Sequence, residues 1–183
     1  MARRLRLPEA PLRETAHGRI PAGEGWFVLN AKDARWRYNG HGGRLTFFEG
    51  EAEMWRVGIN VSVLEPGEPM AMYHYEADQE DFLVLAGEPL LIVEGEERRL
   101  RPWDFFHCPP GTNHVIVGAG DAPSVLVSVG LRSEEENWGA YTVDVRALRH
   151  GAGVEEETTD SRVAYSRFPA DRFSRFEEGW LPG

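Results

Sequence analysis

The feature that most constrains the fold of this chain is an alternation of apolar and polar residues between positions 55 and 63. Trp55, Val57, Ile59, Val61 and Val63 are apolar, and the residues between them are small or polar. Because successive side chains of a β-strand point to opposite faces, this period of two predicts a strand with one buried face. No other segment of the chain has so strong a periodicity.

Shorter strand-like runs occur on both sides of this strand, and turn signals separate them. None of these runs has the period of a helix. Many short strands between glycine and proline turns indicate an antiparallel sandwich or a closed barrel, and the lack of a long internal repeat indicates one barrel. The runs are 44–48, 70–76, 82–85, 90–93, 98–101, 105–108, 114–117 and 125–129, with turns at 65–69, 94–96 and 109–111.

Charge and composition exclude several classes of function. The 20 basic and 30 acidic residues give a net charge of −10, which opposes binding to nucleic acid or to an anionic membrane. Lys32 is the only lysine, which leaves almost no route to a lysine Schiff base, and Cys108 is the only cysteine, which rules out an intrachain disulfide. No apolar run approaches the roughly 20 residues of a membrane span, and the basic start lacks the apolar centre of a secretory signal. We therefore expect a cytoplasmic protein.

Four side chains that commonly bind metals converge in the predicted barrel. A strand over residues 70–76 places His74 and Glu76 on one face, and a short turn lets Glu80 begin the next strand pointing back toward them. His114 begins a strand directly after the turn at 109–113. Imidazole nitrogens and carboxylate oxygens that meet inside a barrel are ligands for a divalent transition metal.

The spacing of these residues resembles the two motifs of the cupin superfamily. The first motif is Gly, five residues, His-x-His, three or four residues, Glu, six residues, Gly. Here Gly67, His74, Glu80 and Gly87 follow it, with one extra residue after Gly67 and with Glu76 in place of the second histidine.

The second motif is Gly, five residues, Pro-x-Gly, two residues, His, three residues, Asn. Pro109, Gly111 and His114 match it, whereas Trp103 replaces the first Gly and Gly118 replaces the closing Asn. The resemblance is to single-domain bacterial cupins. It implies an all-β fold with one double-stranded β-helix, or jelly-roll, barrel at residues 45–130. Residues 1–44 would form an arm and outer strands, residues 131–183 an extension with a short helix, and the assembly would be a homodimer.

The resemblance further implies that His74, Glu80 and His114 hold the metal ion. Glu76 then has two alternative roles, as a fourth ligand or as a general base off the metal. A set of two histidines and two carboxylates favours Mn or Fe, but the residues do not determine whether the ion is Fe, Mn, Zn or Ni. A polar cluster that is hydrogen-bonded and binds no metal is the remaining alternative.

Three functions are compatible with such a site. The first is a metal-dependent enzyme of the non-haem iron dioxygenase type, acting on a small polar metabolite. The second is a sugar-isomerase-like enzyme, in which the metal is a Lewis acid and Glu76 moves a proton. The third is a non-catalytic module that binds a small molecule or a metal. The fold does not decide among them, because cupins perform many kinds of chemistry.

Residues outside the motifs give further expectations. Successive strand residues face opposite sides, so only one of His107 and Cys108 can point into the barrel. We expect Cys108 to be a small buried residue, and His107 is a candidate neighbour of the metal site. Phe173, Phe176 and Trp180 have the spacing of one helix face, which predicts a tail helix packed on the barrel or on a partner. Core packing is the preferred interpretation of the large apolar residues near the motifs, which are Met70, Met72, Phe82, Trp103 and Phe106.

Overall fold

The structure is a computed structural model that describes residues 7–51, 54, 56–132 and 138–182. The regular secondary structure of the described chain is almost entirely β, with two short helices near its C-terminal end. The strands are β1 (Leu12–Thr15), β2 (Gly18–Pro21), β3 (Trp36–Tyr38), β4 (Arg44–Thr46), β5 (Val57–Leu64), β6 (His74–Glu76), β7 (Glu80–Ala86), β8 (Leu90–Val93), β9 (Glu96–Arg99), β10 (Phe105–Cys108), β11 (His114–Val117), β12 (Ser124–Leu131), β13 (Gly139–Tyr141) and β14 (Arg172–Ser174). The helices are α1 (Val145–Arg149) and α2 (Ser161–Ala164).

Two antiparallel sheets form the body of the protein. The larger sheet has the order β10-β7-β12-β5-β4-β3-β14, and the smaller sheet has the order β13-β6-β11-β8-β9. The segments before and after the barrel strands therefore contribute strands of their own, since β3 and β14 join the larger sheet and β13 joins the smaller one. The segment at the N-terminal end includes a separate hairpin of β1 and β2.

The apolar core lies between the two sheets. Val84 and Leu126 from the larger sheet meet Leu91 and Ile116 from the smaller sheet, and all four are 2% exposed or less. In β7 the buried residues Phe82 and Val84 stand at alternate positions, as expected where one face of a strand is buried. Burial of this apolar area is the main source of stability for a fold of this kind.

Three further apolar clusters cover other parts of the sheets. One lies on the outer side of the smaller sheet, where Ala147 of α1 packs with Ile92 and Val115. A second joins Met72 and Tyr141 to the α2 region. The third lies on the outer side of the larger sheet and contains Trp36, Val63, Val125, Trp180 and, partly buried, Phe176.

The alternating segment forms β5 as predicted, but its apolar row does not face the interior at residues 57–61. Asn60 and Ser62 line an internal cavity, whereas Ile59 is 38% exposed on the outer side and only Val63 of this row is fully buried. The expectation of a buried apolar face was wrong here because this end of the interior is polar. Trp55 lies outside the described residues.

Two other expectations need correction. The stripe of Phe173, Phe176 and Trp180 is not a helix, because Phe173 lies in β14 while Phe176 and Trp180 follow it and pack against Trp36. An i, i+3, i+7 spacing also fits a strand followed by turns, and pairing with β3 decides between them. Trp103 does not line the barrel, since it lies in the turn before β10 and is 74% exposed.

Met70, Met72, Phe82 and Phe106 follow the packing prediction. Phe82 is buried in the core between the sheets, and Met70 and Phe106 pack against that core. Met72 is fully buried in the neighbouring cluster beside Tyr141.

None of the helices in the described part of the chain has the length and apolar character that crossing a membrane requires.

Helix α1 depends on a side-chain cap. Asp144 has extended backbone angles, and its carboxylate accepts hydrogen bonds from the backbone N–H groups of Arg146 (2.7 Å) and Ala147 (3.2 Å). We expect Asp144→Ala to lower the free energy of unfolding by about 1 kcal/mol, because the first turn of the helix would lose these acceptors. Urea unfolding measures this change. Asp144→Asn is the matched control and should retain most of the stability, so an equal loss in both variants would contradict the capping role.

Candidate metal centre

Strand pairing brings the predicted site residues together at one end of the barrel. His74 begins β6 and His114 begins β11, and the two residues are direct partners in the smaller sheet, with ring centroids 4.9 Å apart. Glu80 begins β7 in the larger sheet and faces both rings. The site therefore spans the two sheets, and no single strand could build it.

The ligand atoms of these three residues lie close enough to share one ion. Glu80 Oε2 is 3.4 Å from His114 Nε2 and 3.8 Å from His74 Nε2. One ligand atom from each of the three residues can be chosen so that all lie within 4.8 Å of one another. A divalent ion with ligand bonds of about 2.0–2.2 Å fits between atoms at this spacing.

Backbone carbonyls fix the orientation of both imidazoles. His74 Nδ1 lies 2.7 Å from the carbonyl oxygen of Met72, and His114 Nδ1 lies 3.0 Å from that of Thr112. Because a carbonyl oxygen can only accept, both Nδ1 atoms carry a proton and donate it. In the neutral form of either ring, the Nε2 atom would present its lone pair to the centre of the site, as in histidines that ligate metals.

The centre of the site contains an acceptor that lacks a donor. Glu80 Oε2 is buried and makes no hydrogen bond to any described residue, although both Nε2 atoms face it. Burying a carboxylate oxygen without a hydrogen bond costs free energy, and a bound cation is one way to offset that cost. The chemistry of the three side chains therefore fits a divalent transition-metal ion.

A proton is the competitor of that ion. Burial disfavours the charged form of His114, but the adjacent Cys108 and Glu80 outweigh it and raise the pKa of His114 to about 10. Without a cation, a proton on Nε2 can bridge to Glu80. Metal binding must displace that proton, because the ligand is the neutral ring.

Glu76 lies beside this group, on the same side of β6 as His74. Its Oε1 atom is 3.7 Å from His74 Nε2, and its side chain is one-third exposed to the cavity and the solvent. The mutually close set of ligand atoms consists of the other three residues. This position is compatible with a base that reaches a bound molecule and also with a fourth ligand.

Cys108 and His107 point to opposite sides of β10. Cys108 is buried in the core, and its sulfur lies 3.3 Å from His114 Nδ1. His107 is exposed on the outside of the barrel, where its Nδ1 lies 2.7 Å from Asp81 Oδ1. The hypothesis that His107 neighbours the metal site is therefore wrong. Because side chains alternate along the strand, Cys108 is the residue of this pair that contacts His114.

A cavity of about 300 Å³ opens from the site, and most of its polar lining was not predicted. Asn60 and Ser62 of β5 and Ser128 of β12 are the polar residues that alternate with the outward valines. Their alternation with the valines is a usable signal, but alternation alone does not determine which of the two rows faces the interior. Arg37 and Tyr141 come from β3 and β13, outside the motifs, and no local pattern marks them.

The segment that follows the barrel strands closes one side of this cavity. Tyr141 pairs with His74 in the smaller sheet, and Tyr165 accepts a hydrogen bond of 3.1 Å from the backbone N–H of Met72. Burial and the adjacent Tyr165 raise the pKa of Tyr141, so its phenol stays neutral and can donate a hydrogen bond. The cavity is therefore shared between the barrel strands and the residues that follow them.

Residues 60–130 match the family model of the cupin domain. Residues 60–130 therefore belong to the cupin superfamily. The match covers the strands that carry all four predicted site residues. The predicted all-β cupin fold is confirmed by this match and by the antiparallel sheets.

Solved cupin structures share the fold at low sequence identity. A predicted oxalate decarboxylase from Thermotoga maritima is 18% identical over 58% of this chain and 99% of its own, with a TM-score of 0.51. An RmlC-like cupin from Shewanella frigidimarina is 17% identical over 59% and 92%, with a TM-score of 0.50. A candidate sugar phosphate isomerase from Acidithiobacillus ferrooxidans is 23% identical over 55% and 64%, with a TM-score of 0.49, so the match spans less than two thirds of that protein.

These similarities concern the fold alone. No curated protein matches the chain significantly.

The structure explains one of the two departures from the second cupin motif, at Gly118, and shows strain at the other. Trp103 has a φ of 75°, in the left-handed region that favours the glycine of the motif, and its exposed ring avoids a clash at the cost of local strain. Gly118 replaces the asparagine of the motif, and a Cβ atom there would lie 2.1 Å from the carbonyl oxygen of Glu65. The chain therefore has no room for a side chain at position 118.

Proposed function

We propose that this cupin is a metal-dependent enzyme that acts on a small polar metabolite, with a divalent transition-metal ion held by His74, Glu80 and His114. The observation that carries the proposal is the convergence of three acceptors, one of which, Glu80 Oε2, is buried without a hydrogen bond to a described residue. Two histidines and one carboxylate leave open coordination positions, as in non-haem iron dioxygenases. We therefore favour the dioxygenase type.

The ion would supply Lewis acidity and, if it is iron, the redox chemistry that oxygen activation requires. Glu80 lowers the net charge of the loaded site, and the carbonyls of Met72 and Thr112 hold the two imidazoles in their ligating tautomer. Leu45 and Phe82 in the wall of the cavity restrict water around the reacting molecule.

The polar lining suggests how a substrate is oriented. Asn60, Ser62 and Ser128 offer donors and acceptors from the larger sheet, and Tyr141 offers a neutral phenol from the opposite side. Groups of this kind bind hydroxyl and carbonyl oxygens of a small metabolite. A cavity of about 300 Å³ limits the substrate to a small molecule.

A second candidate function rests on the position of Glu76. Its carboxylate faces the cavity next to the ligand His74 and is the cavity-lining carboxylate outside the mutually close set. In an isomerase, Glu76 would take a proton from a carbon next to a carbonyl group and return it to the neighbouring carbon. This mechanism needs no oxygen, and that difference separates the two candidates.

The test combines metal reconstitution with a change at Glu76. We expect Glu76→Gln to keep the metal content of the wild type and to lower turnover by about 10²–10⁴-fold, because the amide cannot accept the proton. Turnover is measured on a panel of small hydroxy and oxo acids and sugars after loading with Fe(II), Mn(II) or Zn(II), with oxygen consumption followed in parallel. Oxygen uptake during turnover by the Fe(II)-loaded protein, but not by the Mn(II)- or Zn(II)-loaded protein, supports the dioxygenase. Turnover that does not depend on oxygen supports the isomerase.

Glu88→Gln is the matched control, since Glu88 is exposed and does not line the metal cavity. Loss of metal in Glu76→Gln but not in the control would make Glu76 a ligand. Undiminished activity would remove it from proton transfer. A protein that takes up none of the three ions would overturn the proposed function.

A further inference from the structure

Arg37 is the only arginine or lysine among the described residues that line the metal cavity. The carboxylates in the same lining are those of Glu76 and Glu80. We propose that Arg37 binds a carboxylate group of the substrate, and that the substrate is therefore a small carboxylic acid and not a neutral sugar. This inference rests on the proposed function, because it assigns the substrate class of the same cavity.

Strand pairing directs the side chain of Arg37 toward the interior of the barrel. Arg37 is the direct partner of Leu45 in β4, and Leu45 is the direct partner of Ser62 in β5. Side chains of directly paired residues lie on the same face of a sheet, and all three of these residues line the cavity. Position 37 therefore presents its side chain to a molecule bound in the cavity.

The neighbours of Arg37 hold β3 in place from the other face of the sheet. The rings of Trp36 and Tyr38 pack against Trp180, with ring centroids 5.2 Å and 5.5 Å apart. Because side chains alternate along a strand, this anchor on the outer face fixes the backbone from which Arg37 reaches inward. The position of its guanidinium is therefore set before a ligand binds.

The guanidinium of Arg37 is oriented through one of its three nitrogens. The Nε atom donates a hydrogen bond of 3.1 Å to Asn39 Oδ1 and lies 3.5 Å from Asp171 Oδ2. Asp171 is itself held, because its Oδ1 atom accepts a hydrogen bond of 2.9 Å from the backbone N–H of Gly40. Neither terminal nitrogen of Arg37 donates a hydrogen bond to a described residue. These two nitrogens form a fork that can bind both oxygens of a carboxylate.

Arg37 lies where the metal cavity adjoins a second cavity of about 410 Å³, and it lines both. None of the three metal ligands is among the described residues that line the second cavity. In the larger sheet, β12, β5 and β4 separate β3 from β7, the strand that Glu80 begins. Arg37 would therefore bind the end of the substrate that points away from the metal ion. The substrate would have its carboxylate at one end and its reacting carbon at the other.

The charges of the loaded cavity favour a carboxylate over a phosphate ester. The carboxylates of Glu76 and Glu80 would balance a divalent ion, which leaves the positive charge of Arg37. A carboxylate with one negative charge neutralises it, whereas a phosphate dianion would exceed it and would also be repelled by Asp171. A neutral sugar would leave the terminal nitrogens of Arg37 without a charged acceptor.

The experiment compares carboxylates with their neutral amides as ligands. The probes are gluconate, 4-hydroxybutyrate and levulinate, each with its amide, and glycerol 3-phosphate with glycerol. Isothermal titration measures their binding to the Mn(II)-loaded protein and to the metal-free protein. We expect at least one carboxylate to bind about 10–100-fold more tightly than its amide, because the amide cannot form charge-assisted hydrogen bonds with the guanidinium.

Substitution of Arg37 separates its contribution from that of the metal ion. Arg37→Gln should abolish the preference for carboxylates in both forms of the protein. Arg37→Lys should keep part of it, because lysine retains the charge but lacks the fork. Arg172→Gln is the matched control, since Arg172 is exposed, pairs with Tyr38 in the same sheet and lies over the ring of Tyr38 at 4.0 Å. This control should bind the probes as the wild type does.

A second measurement uses the wild type alone, in case the Arg37 variants do not fold. A bound carboxylate should slow the modification of Arg37 by phenylglyoxal, followed by peptide mass spectrometry, and should leave the modification of Arg172 unchanged. The inference is overturned if the amides bind as tightly as the carboxylates, or if the preference survives Arg37→Gln. Tighter binding of glycerol 3-phosphate than of every carboxylate, or an Arg37 that no carboxylate protects, would also overturn it.

Failure of this inference and failure of the proposed function give different results. A protein that takes up no metal overturns the proposed function, but its metal-free form should still prefer carboxylates through Arg37. A protein that binds its metal ion and shows no preference for carboxylates keeps the metal centre and loses the assignment of the substrate class.

Discussion

Replacing His114 with alanine is expected to abolish stoichiometric binding of a divalent metal ion. His114 is 2% exposed, and its Nε2 atom is one of three converging acceptors, 3.4 Å from Glu80 Oε2. Loss of residues that merely support a ligand costs about 10–100-fold in metal affinity, so loss of a ligand should cost at least about 100-fold. Isothermal titration with Mn(II) or Zn(II) and elemental analysis of the purified protein measure the change.

His107→Ala is the matched control for this experiment. His107 lies on the neighbouring strand β10, but its ring is on the outside of the barrel with Asp81. This variant should bind one ion per chain as the wild type does. If the His114→Ala protein keeps its metal and has the far-ultraviolet circular dichroism spectrum of the wild type, His114 is not a ligand.

The second large effect is expected at Trp36. This residue is 0% exposed, its indole N–H donates a hydrogen bond of 2.8 Å to the carbonyl oxygen of Ala31, and its ring packs against Phe176 and Trp180. Trp36→Ala should lower the free energy of unfolding by about 3–5 kcal/mol, because it leaves a cavity where the C-terminal tail meets the sheet. Urea unfolding monitored by circular dichroism gives the free energy of unfolding by linear extrapolation.

Trp103→Ala is the control of equal size, since Trp103 is 74% exposed. Its effect should stay within about 0.5 kcal/mol, as for other surface substitutions. Equal losses in the two variants would contradict the assignment of Trp36 to a buried cluster that anchors the tail.

The barrel could be predicted from the sequence because its strands are marked locally. Period-two alternation and glycine or proline turns depend only on neighbouring residues, and they identified the strand at β5 and the runs that follow it. The direction in which the apolar row of β5 faces depends instead on the opposite sheet. Ile59 faces outward and Asn60 faces inward, opposite to the expectation, because the interior there is a cavity lined with polar groups.

The helix predicted at 173–180 failed for a related reason. Three apolar residues at helical spacing are a weak local signal, and the pairing of Phe173 with Arg37 in β3 overrides it. The structure instead places the short helices of this segment at Val145–Arg149 and Ser161–Ala164. A strand formed by pairing with a distant segment leaves little trace in its own sequence.

The convergence of the site residues was predictable where motif spacing fixed the turn geometry. His74, Glu80 and His114 stand at strand starts, so the turns before them determine where their side chains point. Arg37 and Tyr141 reach the same cavity through strand pairing with distant segments, and their contribution could not be seen from the sequence. Cys108 was correctly expected to be buried, but its 3.3 Å contact with His114 depends on how two strands cross.

The pairing of Tyr141 with His74 has a consequence for how such proteins are subdivided. A fragment that stopped at residue 130 would contain every motif residue, yet β6 would lose a neighbouring strand and the Met72 amide would lose its Tyr165 acceptor. A fragment of this kind would therefore lack part of the structure that supports His74. Exchange of the residues after 138 between homologues would replace one wall of the cavity, and we expect its selectivity to change while His74, Glu80 and His114 stay in place.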